Sequence, residues 1–485
     1  QLRHLVAQCL PEHQNNALSP ILTLLKFKYS LDAVTAEKAL EILNNATKET
    51  ALSKEQQEHG LLILSAWLNL PLPEFNPAAN LSPDVQKQRL FDLLAHLFCQ
   101  ASTLYHQGER ILRHLFIFED MHWADPTSLE FINFLIGSNI FSEEGHSWLT
   151  TSRKSLPAQL ETHAFQQIPV PKLDNEDTTA FINYLFDEQP VAIQLLDILL
   201  ERTDGIPLFI EELTSSLLAQ NLVHKVNGEF NFVDDKQALV PMTLRDSLQQ
   251  KLDQLQYGKD TAQMAAAIGR EFDYELLIAA SEKDEALIQR DLNNLVTAEI
   301  IFQQRKVDGD NYIFKHALVR DAAYESMAPE IRKHTHRSIA NAMTDSFTHI
   351  ETESPVVVAG HFAKAEDYEQ AAKLGLTGIK NAVKNSSHVE ATSIKELVTE
   401  WAQNIPNKNL GIILELFAID SVIPAELSLY GYGSDPVKRS TQRANKLMPL
   451  INEFKDKETL LKTLSNMGIS TLENLEEMLE EAHFK

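Results

Sequence analysis

The stretch HLFIFEDMHWADPTS, residues 114 to 128, constrains the fold more than any other part of the chain. Its apolar, aromatic-rich run reads as a buried strand. The run stops at two adjacent acids, Glu119 and Asp120, and burying an unpaired carboxylate is costly. The strand must therefore end where solvent or a counter-charge meets it. Asp125 then precedes Pro126, the pattern of a capping residue followed by the first residue of a helix. Leu129, Ile132 and Leu135 recur at helical spacing and are expected to face inward.

Two further short strands are predicted, at HLVAQCL (residues 4–10) and SWLTTSR (residues 147–153), with helical patterns between all three. Strands alternating with helices imply an α/β unit with a mostly parallel sheet, whose ligands lie beyond the carboxyl ends of the strands. GLLILSAWLNLPLP, residues 60 to 73, reads as a core helix ending at Pro71, because it falls short of the roughly 18 to 20 apolar residues that span a bilayer. No membrane association is expected. Cys9 and Cys99 are the two cysteines of the chain, too few for a disulfide framework, which fits a reducing cytoplasm. A net charge of -25 opposes phosphate backbones, so no direct nucleic-acid partner is expected.

From about residue 174 the strand signal fades into helical patterns, and residues 161–238 read as an all-α lid. Residues 239–330 predict three helices, TLRDSLQQKLDQL, DTAQMAAAIG and DEALIQRDLNNLVTA, followed by a hairpin from EIIFQQ to KVDGDNYIF and a further helix. Ile288, Leu292 and Leu295 share one face of the third helix. Three helices and a two-stranded wing describe a winged-helix domain, although acids outnumber basic residues in the helix that would read DNA. Residues 331–485 read as a TPR-like helical region. Ala372, Gly378 and Ala382 in one helix oppose Ala391, Leu397 and Trp401 in the next, and one such pair needs stacked neighbours. The acidic end LENLEEMLEEAHFK reads as a solvated helix face.

Taken together, LFIFED followed by MHWADPTSLEFINFL resembles the extended Walker B segment of STAND-class, AAA-like P-loop ATPases. The module concerned is the one attached to bacterial adenylate and guanylate cyclases, serine/threonine kinases and LuxR-type regulators. CLPEHQNNALSPI (9–21), NLSPDVQKQRLFDLL (80–94), LTTSRKS (149–155), RTDGIPLFIEEL (202–213) and YIFKHALVRDAAYESM (312–327) resemble family landmarks in the same order. The resemblance covers residues 1 to about 450. It implies ATP or ADP with Mg2+ as ligands. Glu119 and Asp120 would hold the magnesium shell and orient a water, and Arg153 would sense the terminal phosphate. Gly205 and Pro207 would hold the base, and His316 would reach the β-phosphate of ADP. The acid that follows this histidine in plant and animal relatives is Ala317 here. Read without the resemblance, Glu119 and Asp120 could simply open a loop, Arg153 could be a solvated residue, and Gly205 and Pro207 could make a turn and start a helix.

No Gly-x-x-x-x-Gly-Lys-Ser/Thr loop occurs in the sequence. Such a loop supplies the backbone amides and the lysine that cradle phosphates. The expected fold is therefore an α/β nucleotide-binding core, residues 1–160, that lacks its Walker A segment and starts after it. The expected function is an ATP/ADP-controlled switch of a bacterial signalling protein, its cyclase or kinase output domain lying outside this chain. ATP hydrolysis would depend on an upstream phosphate loop. An effector at the helical repeats and self-association in the ATP state are the implied partners. The alternatives are a non-enzymatic scaffold built on a degenerate ATPase core, or the sensor part of a LuxR-type regulator.

Overall fold

The computed structural model describes residues 2–99, 105–106, 109–110, 113–143, 145–157, 160, 163, 165–226, 228–233, 241–255, 257–306 and 309–452. The acidic carboxyl-terminal stretch of the sequence lies outside the described residues. The fold is mostly helical, with one small parallel sheet. It divides into two compact units, Gln1–Phe165 with Ala340–Lys485, and Gln166–Ile339.

The amino-terminal part of the first unit runs β1 (Leu2–Gln8), α1 (Ser19–Tyr29), α2 (Ala36–Lys48), α3 (Lys54–Trp67), α4 (Pro83–Cys99), β2 (Tyr105–His106), β3 (Glu109–Arg110), β4 (Arg113–Glu119), α5 (Pro126–Gly137), α6 (Asn139–Glu143) and β5 (Ser147–Thr150). β4 is the central strand of the parallel sheet β1-β4-β5. His114, Phe116 and Phe118 are buried in β4, while Leu115 and Ile117 are half-buried, so the strand shows the period-2 alternation of a sheet with one face better covered. Phe118 stacks on Trp148 of β5 with ring centroids 4.5 Å apart, and Phe116 meets Phe98 of α4 edge-on. Aromatic pairs of this kind add about 0.5–1.5 kcal/mol beyond their area burial. α3 opens with a complete capping box between Ser53 and Gln56. It stops at Trp67, before Pro71, because Asn69 adopts a left-handed conformation (φ 52°).

The second unit begins with α7 (Asn175–Leu185), α8 (Ile193–Thr203) and α9 (Pro207–Ala219). The segment expected to be an all-α lid then contains an antiparallel hairpin, β6 (Val223–Val226) with β7 (Glu229–Phe232). The alternation in VHKVNGEFNF is short and carries few apolar residues, so the helical patterns on either side outweigh it. Phe232 and Val223 are buried in the core of α7–α9, and Phe230 packs on Phe186.

The same unit continues through α10 (Leu244–Asp253), α11 (Lys259–Ile268), β8 (Glu271–Asp273), α12 (Tyr274–Ala280), α13 (Glu285–Thr297), β9 (Ile301–Lys306), β10 (Gly309–Phe314) and α14 (Ala317–Glu325). The sequence predicts a two-stranded wing here, whereas the sheet is three-stranded in the order β8-β10-β9, and α12 is a further helix. A three-residue strand is too short for periodicity to reveal. It exists because Phe272 sits opposite Tyr312 and stacks on it at 5.7 Å. Ile288, Leu292 and Leu295 of α13 are all buried, as their spacing predicts.

α15 (Pro329–Asp345) leads back into the first unit, which closes with α16 (Thr348–Glu353), α17 (Pro355–Lys364), α18 (Tyr368–Lys384), α19 (His388–Asn404), α20 (Lys408–Tyr430) and α21 (Asp435–Asn452). From α17 to α21 each helix packs on the next. α18 carries the small residues that let its neighbours approach. A Cβ on Gly375 would collide with the Val398 and Trp401 side chains, and one on Gly378 with that of Val356. The face that α19 presents to the core is Ile394, Val398 and Trp401, and Leu397 is only half-buried. The helical repeats sit against the core of the same unit through Asn16 Nδ2 donating to Ser354 Oγ (2.8 Å) and Lys87 Nζ donating to the Ser386 carbonyl (3.0 Å).

Gly375→Val should cost about 1–3 kcal/mol by overpacking the α18–α19 contact. Gly360→Ala, where an added Cβ meets nothing within 4 Å, should be neutral or slightly stabilising. Urea-denaturation midpoints of the two variants check both outcomes.

Candidate functional site

The carboxyl end of β4 is built by its two neighbours in the sheet. Gln8, the last residue of β1, lies in register with Glu119, and the Cys9 N–H donates to the Glu119 carbonyl at 2.9 Å. The next residue, Asp120, is left-handed (φ 54°), a conformation that aspartate tolerates better than most side chains. Its N–H donates to Thr151 Oγ1 at 3.1 Å, and the Gln8 side-chain amide donates to Asp120 Oδ2 at 3.3 Å. The Met121 N–H donates to the Thr151 carbonyl, and the Thr151 N–H to the Phe118 carbonyl. Both acids are half-buried, on a backbone fixed from both sides. An outlying backbone conformation held this firmly is a common property of functional strand ends.

Arg153 follows β5 in an exposed loop, and its N–H lies 3.5 Å from Nδ1 of His122. Burial depresses the pKa of His122, and Arg153 and Lys154 push in the same direction against Asp120. The structure thus gathers Glu119, Asp120 and Arg153 around one end of the sheet in the first unit. Gly205, Pro207 and His316 belong to the second unit.

Gly205 has a structural cause of its own. It adopts φ +66°, its carbonyl accepts from the Leu173 N–H at 2.9 Å, and a Cβ there would collide with the Leu173 carbonyl. Pro207 is exposed and occupies the first position of α9, where its missing N–H is harmless. His316 follows β10 and precedes α14. Its Nε2 is buried without a hydrogen-bond partner among the described residues. Burial lowers its pKa, with Glu212 and Glu211 of α9 opposing the shift. Glu212 is itself buried and pairs with Lys251 at 3.0 Å.

The residues present fit the metal end of a Mg-nucleotide site. Two carboxylates project from the end of the central parallel strand, the place where such a sheet receives ligands. Glu119 and Asp120 are the groups that would hold magnesium, and a bound Mg2+ would supply the positive charge that phosphate oxygens need. Among the described residues no cluster of three or more His, Cys, Asp or Glu side chains forms an all-protein metal site.

Behind this acid pair stands a second one that only the folded chain assembles. Asp125 is buried (1% exposed) and caps α5, accepting from the Ser128 N–H at 2.7 Å and the Ser128 hydroxyl at 2.6 Å. It also accepts from the Leu18 N–H at the start of α1, 2.9 Å away. Glu390 of α19, likewise buried, accepts from the Thr127 N–H at 2.7 Å. Two carboxyl groups thus share the first turn of α5. Burial, and then the charge of Glu390, push the pKa of Asp125 up to about 7, and burial raises that of Glu390. The neighbouring Cys9 thiol is pushed up to about 12 by burial, Asp125 and Asp120, so it stays protonated.

Two signals in the sequence bear on the residues that motif matching overlooks. Gln8 is a polar residue at the end of an apolar strand. Ser387-x-x-Glu390 has the spacing of a capping box, yet Ser387 makes no side-chain cap bond and Glu390 turns instead to Thr127.

No protein-family model matches the chain. An uncharacterized protein of Rhizobium meliloti (strain 1021) is 23% identical over 326 residues. The match covers 66% of this chain, which spans 31% of that relative's length. A solved STAND (Signal Transduction ATPase with Numerous Domains) protein with a tetratricopeptide repeat sensor, from Pyrococcus horikoshii, aligns with 99% of this chain and 74% of its own. Its TM-score is 0.34 and the identity 11%. Among the described residues no helix is long and apolar enough to cross a membrane.

Because the folded-state pKa of Asp125 lies above its ordinary 3.8, the protonated form stabilises the fold. That contribution is complete below the ordinary carboxyl range and is lost as pH rises through about 7. Asp125→Asn keeps an acceptor for the cap and removes the titration. The stability of the native protein relative to Asp125→Asn should therefore fall between about pH 3.8 and 7, measured by denaturant unfolding across that window.

Proposed function

We propose that this chain is the nucleotide-responsive core and helical sensor region of a signalling switch of the STAND type. The observation that carries the reading is the acid pair at the end of β4, with Asp120 left-handed and held by Gln8 and Thr151. A strand end of this kind is suited to a magnesium-bound polyphosphate, since carboxylates there coordinate the ion and orient a water. Arg153, on the adjacent loop, has the chemistry to report a terminal phosphate through charge-assisted hydrogen bonds.

On this reading Glu119 and Asp120 serve Mg2+, and Gly205 and Pro207 hold the base. His316 carries a buried nitrogen with no partner among the described residues, which suits a donor to the β-phosphate of ADP. Helices α10, α11 and α13 with the β8-β10-β9 sheet act as the winged-helix element that senses the nucleotide. The stacked helices α17–α21 act as TPR-like repeats that take up an effector. ADP favours the closed state and effector binding favours exchange for ATP, with the output delivered by a cyclase, kinase or LuxR-type domain elsewhere in the protein. Cytoplasmic location and ATP-dependent self-association belong to the same proposal.

The test is calorimetric titration of Mg-ATP and Mg-ADP into the native gene product and into Glu119→Gln plus Asp120→Asn. The double variant should fold normally and lose magnesium-dependent affinity by about tenfold or more, as expected when charged partners are removed from a partly buried site. Equal Mg-dependent binding in the two proteins would overturn the assignment of Glu119 and Asp120, and no binding by the native protein would overturn the switch and leave the scaffold reading.

A further inference from the structure

Helices α19, α20 and α21 line an open cleft of about 470 Å³, within the size range of small-molecule sites. Its charged lining is balanced. Lys395, Arg439 and Arg443 face Glu396, Glu415 and Glu426. Most of that charge is already committed. Arg443 grips Glu415 with Nε at 2.6 Å and Nη2 at 2.9 Å, and Lys395 pairs with Glu396 at 2.6 Å.

Glu426 is different. It is 2% exposed, and its Oε1 accepts from Ser440 Oγ at 2.8 Å and faces Lys395 Nζ at 3.3 Å. Its Oε2 is buried and has no hydrogen-bond partner among the described residues. A buried carboxylate oxygen without a donor is expensive, and Glu426 lines the cleft, where a ligand can bring a donor to its carboxylate. Arg439, exposed on α21, lines the same cleft and offers a guanidinium suited to bidentate recognition of a carboxylate.

We propose that this cleft binds a small zwitterion of the amino-acid or dipeptide class, its ammonium on the Glu426 carboxylate and its own carboxylate on Arg439. The balanced lining disfavours a ligand of large net charge, because one more uncompensated charge would have to be desolvated beside like charges. The volume exceeds what a bare backbone zwitterion needs, so the ligand carries a substantial side chain or a second residue. Binding itself follows from the cleft and does not depend on nucleotide. Only its consequence, effector control of the switch, rests on the reading of the preceding subsection.

The experiment uses this chain without nucleotide. Standard L-amino acids and their glycyl dipeptides are screened at millimolar concentration by thermal shift, each beside its N-acetyl and carboxamide forms, and hits are titrated by calorimetry. A free zwitterion should bind, and blocking either end should weaken it about tenfold or more. Glu426→Gln should abolish the preference for a free ammonium. Arg439→Ala, at an exposed position where the fold tolerates truncation, should abolish the preference for a free carboxylate. Stronger binding by dipeptides than by amino acids supports the proposal and identifies a peptide terminus as the natural form. No binding by any free zwitterion, or equal binding by the blocked forms or by Arg439→Ala, would overturn the proposal. Loss of Mg-nucleotide binding in Glu119→Gln plus Asp120→Asn leaves this result untouched, so the two readings fail separately.

Discussion

The first unit depends on a single buried carboxyl group. Asp125 accepts hydrogen bonds from the first turns of two helices, Leu18 at the start of α1 and Ser128 in α5. Glu390 adds a third helix by taking the Thr127 N–H of α5. Helix N-termini present unsatisfied donors and partial positive charge, which is what makes a buried acid tolerable there. The α/β core and the helical repeats of this unit are therefore joined through polar atoms that water cannot replace. Removing either acid would orphan buried N–H groups, and that desolvation penalty comes on top of any packing deficit.

The same anchoring positions the candidate site. β4 ends at Glu119, the chain turns through the left-handed Asp120, and Met121–Trp123 form one turn of 3-10 helix before Asp125 starts α5. With Asp125 fixed below and Thr151 fixed by β5, the short link between them has little freedom. The strand end is held chiefly through its backbone, by the Glu119 carbonyl and by the N–H groups of Asp120 and Met121. Glu119, positioned by its main chain, can turn its carboxylate toward a ligand, while the Asp120 carboxylate is steadied by Gln8. Asp125, a few residues on, commits its carboxylate to the fold.

The second unit follows a different logic, with cores built around α7–α9 and around the β8-β10-β9 sheet. Asp291 of α13 is deeply buried there, held by Lys283 at 2.6 Å and Thr261 Oγ1 at 2.8 Å. Burial alone would raise its pKa, yet those bonds hold it below the ordinary value. Buried charge here is paired with a cation, whereas at α5 it is set against helix N-termini. The difference explains why Asp125 and Glu390 titrate upward and Asp291 downward.

The parallel strands, the capped helix after Asp125, the buried face of α13 and the strand end that carries Glu119 and Asp120 are all legible in the amino-acid order. Each is written locally, in periodicity or in a capping pattern, and local patterns survive without tertiary context. Folding alone reveals that Glu390 leaves its own helix for Thr127, that Gly205 exists to clear Leu173, and that β6, β7 and β8 are strands. The same holds for Glu426 and the cleft it lines. These outcomes rest on encounters between residues far apart in the chain, where the partner that determines a side chain's role is absent from its neighbourhood in sequence. The all-α reading of residues 161–238 fails for that reason, and β8 joins the predicted β9–β10 hairpin unforeseen, since short strands are stabilised by the neighbour they pair with more than by their own composition.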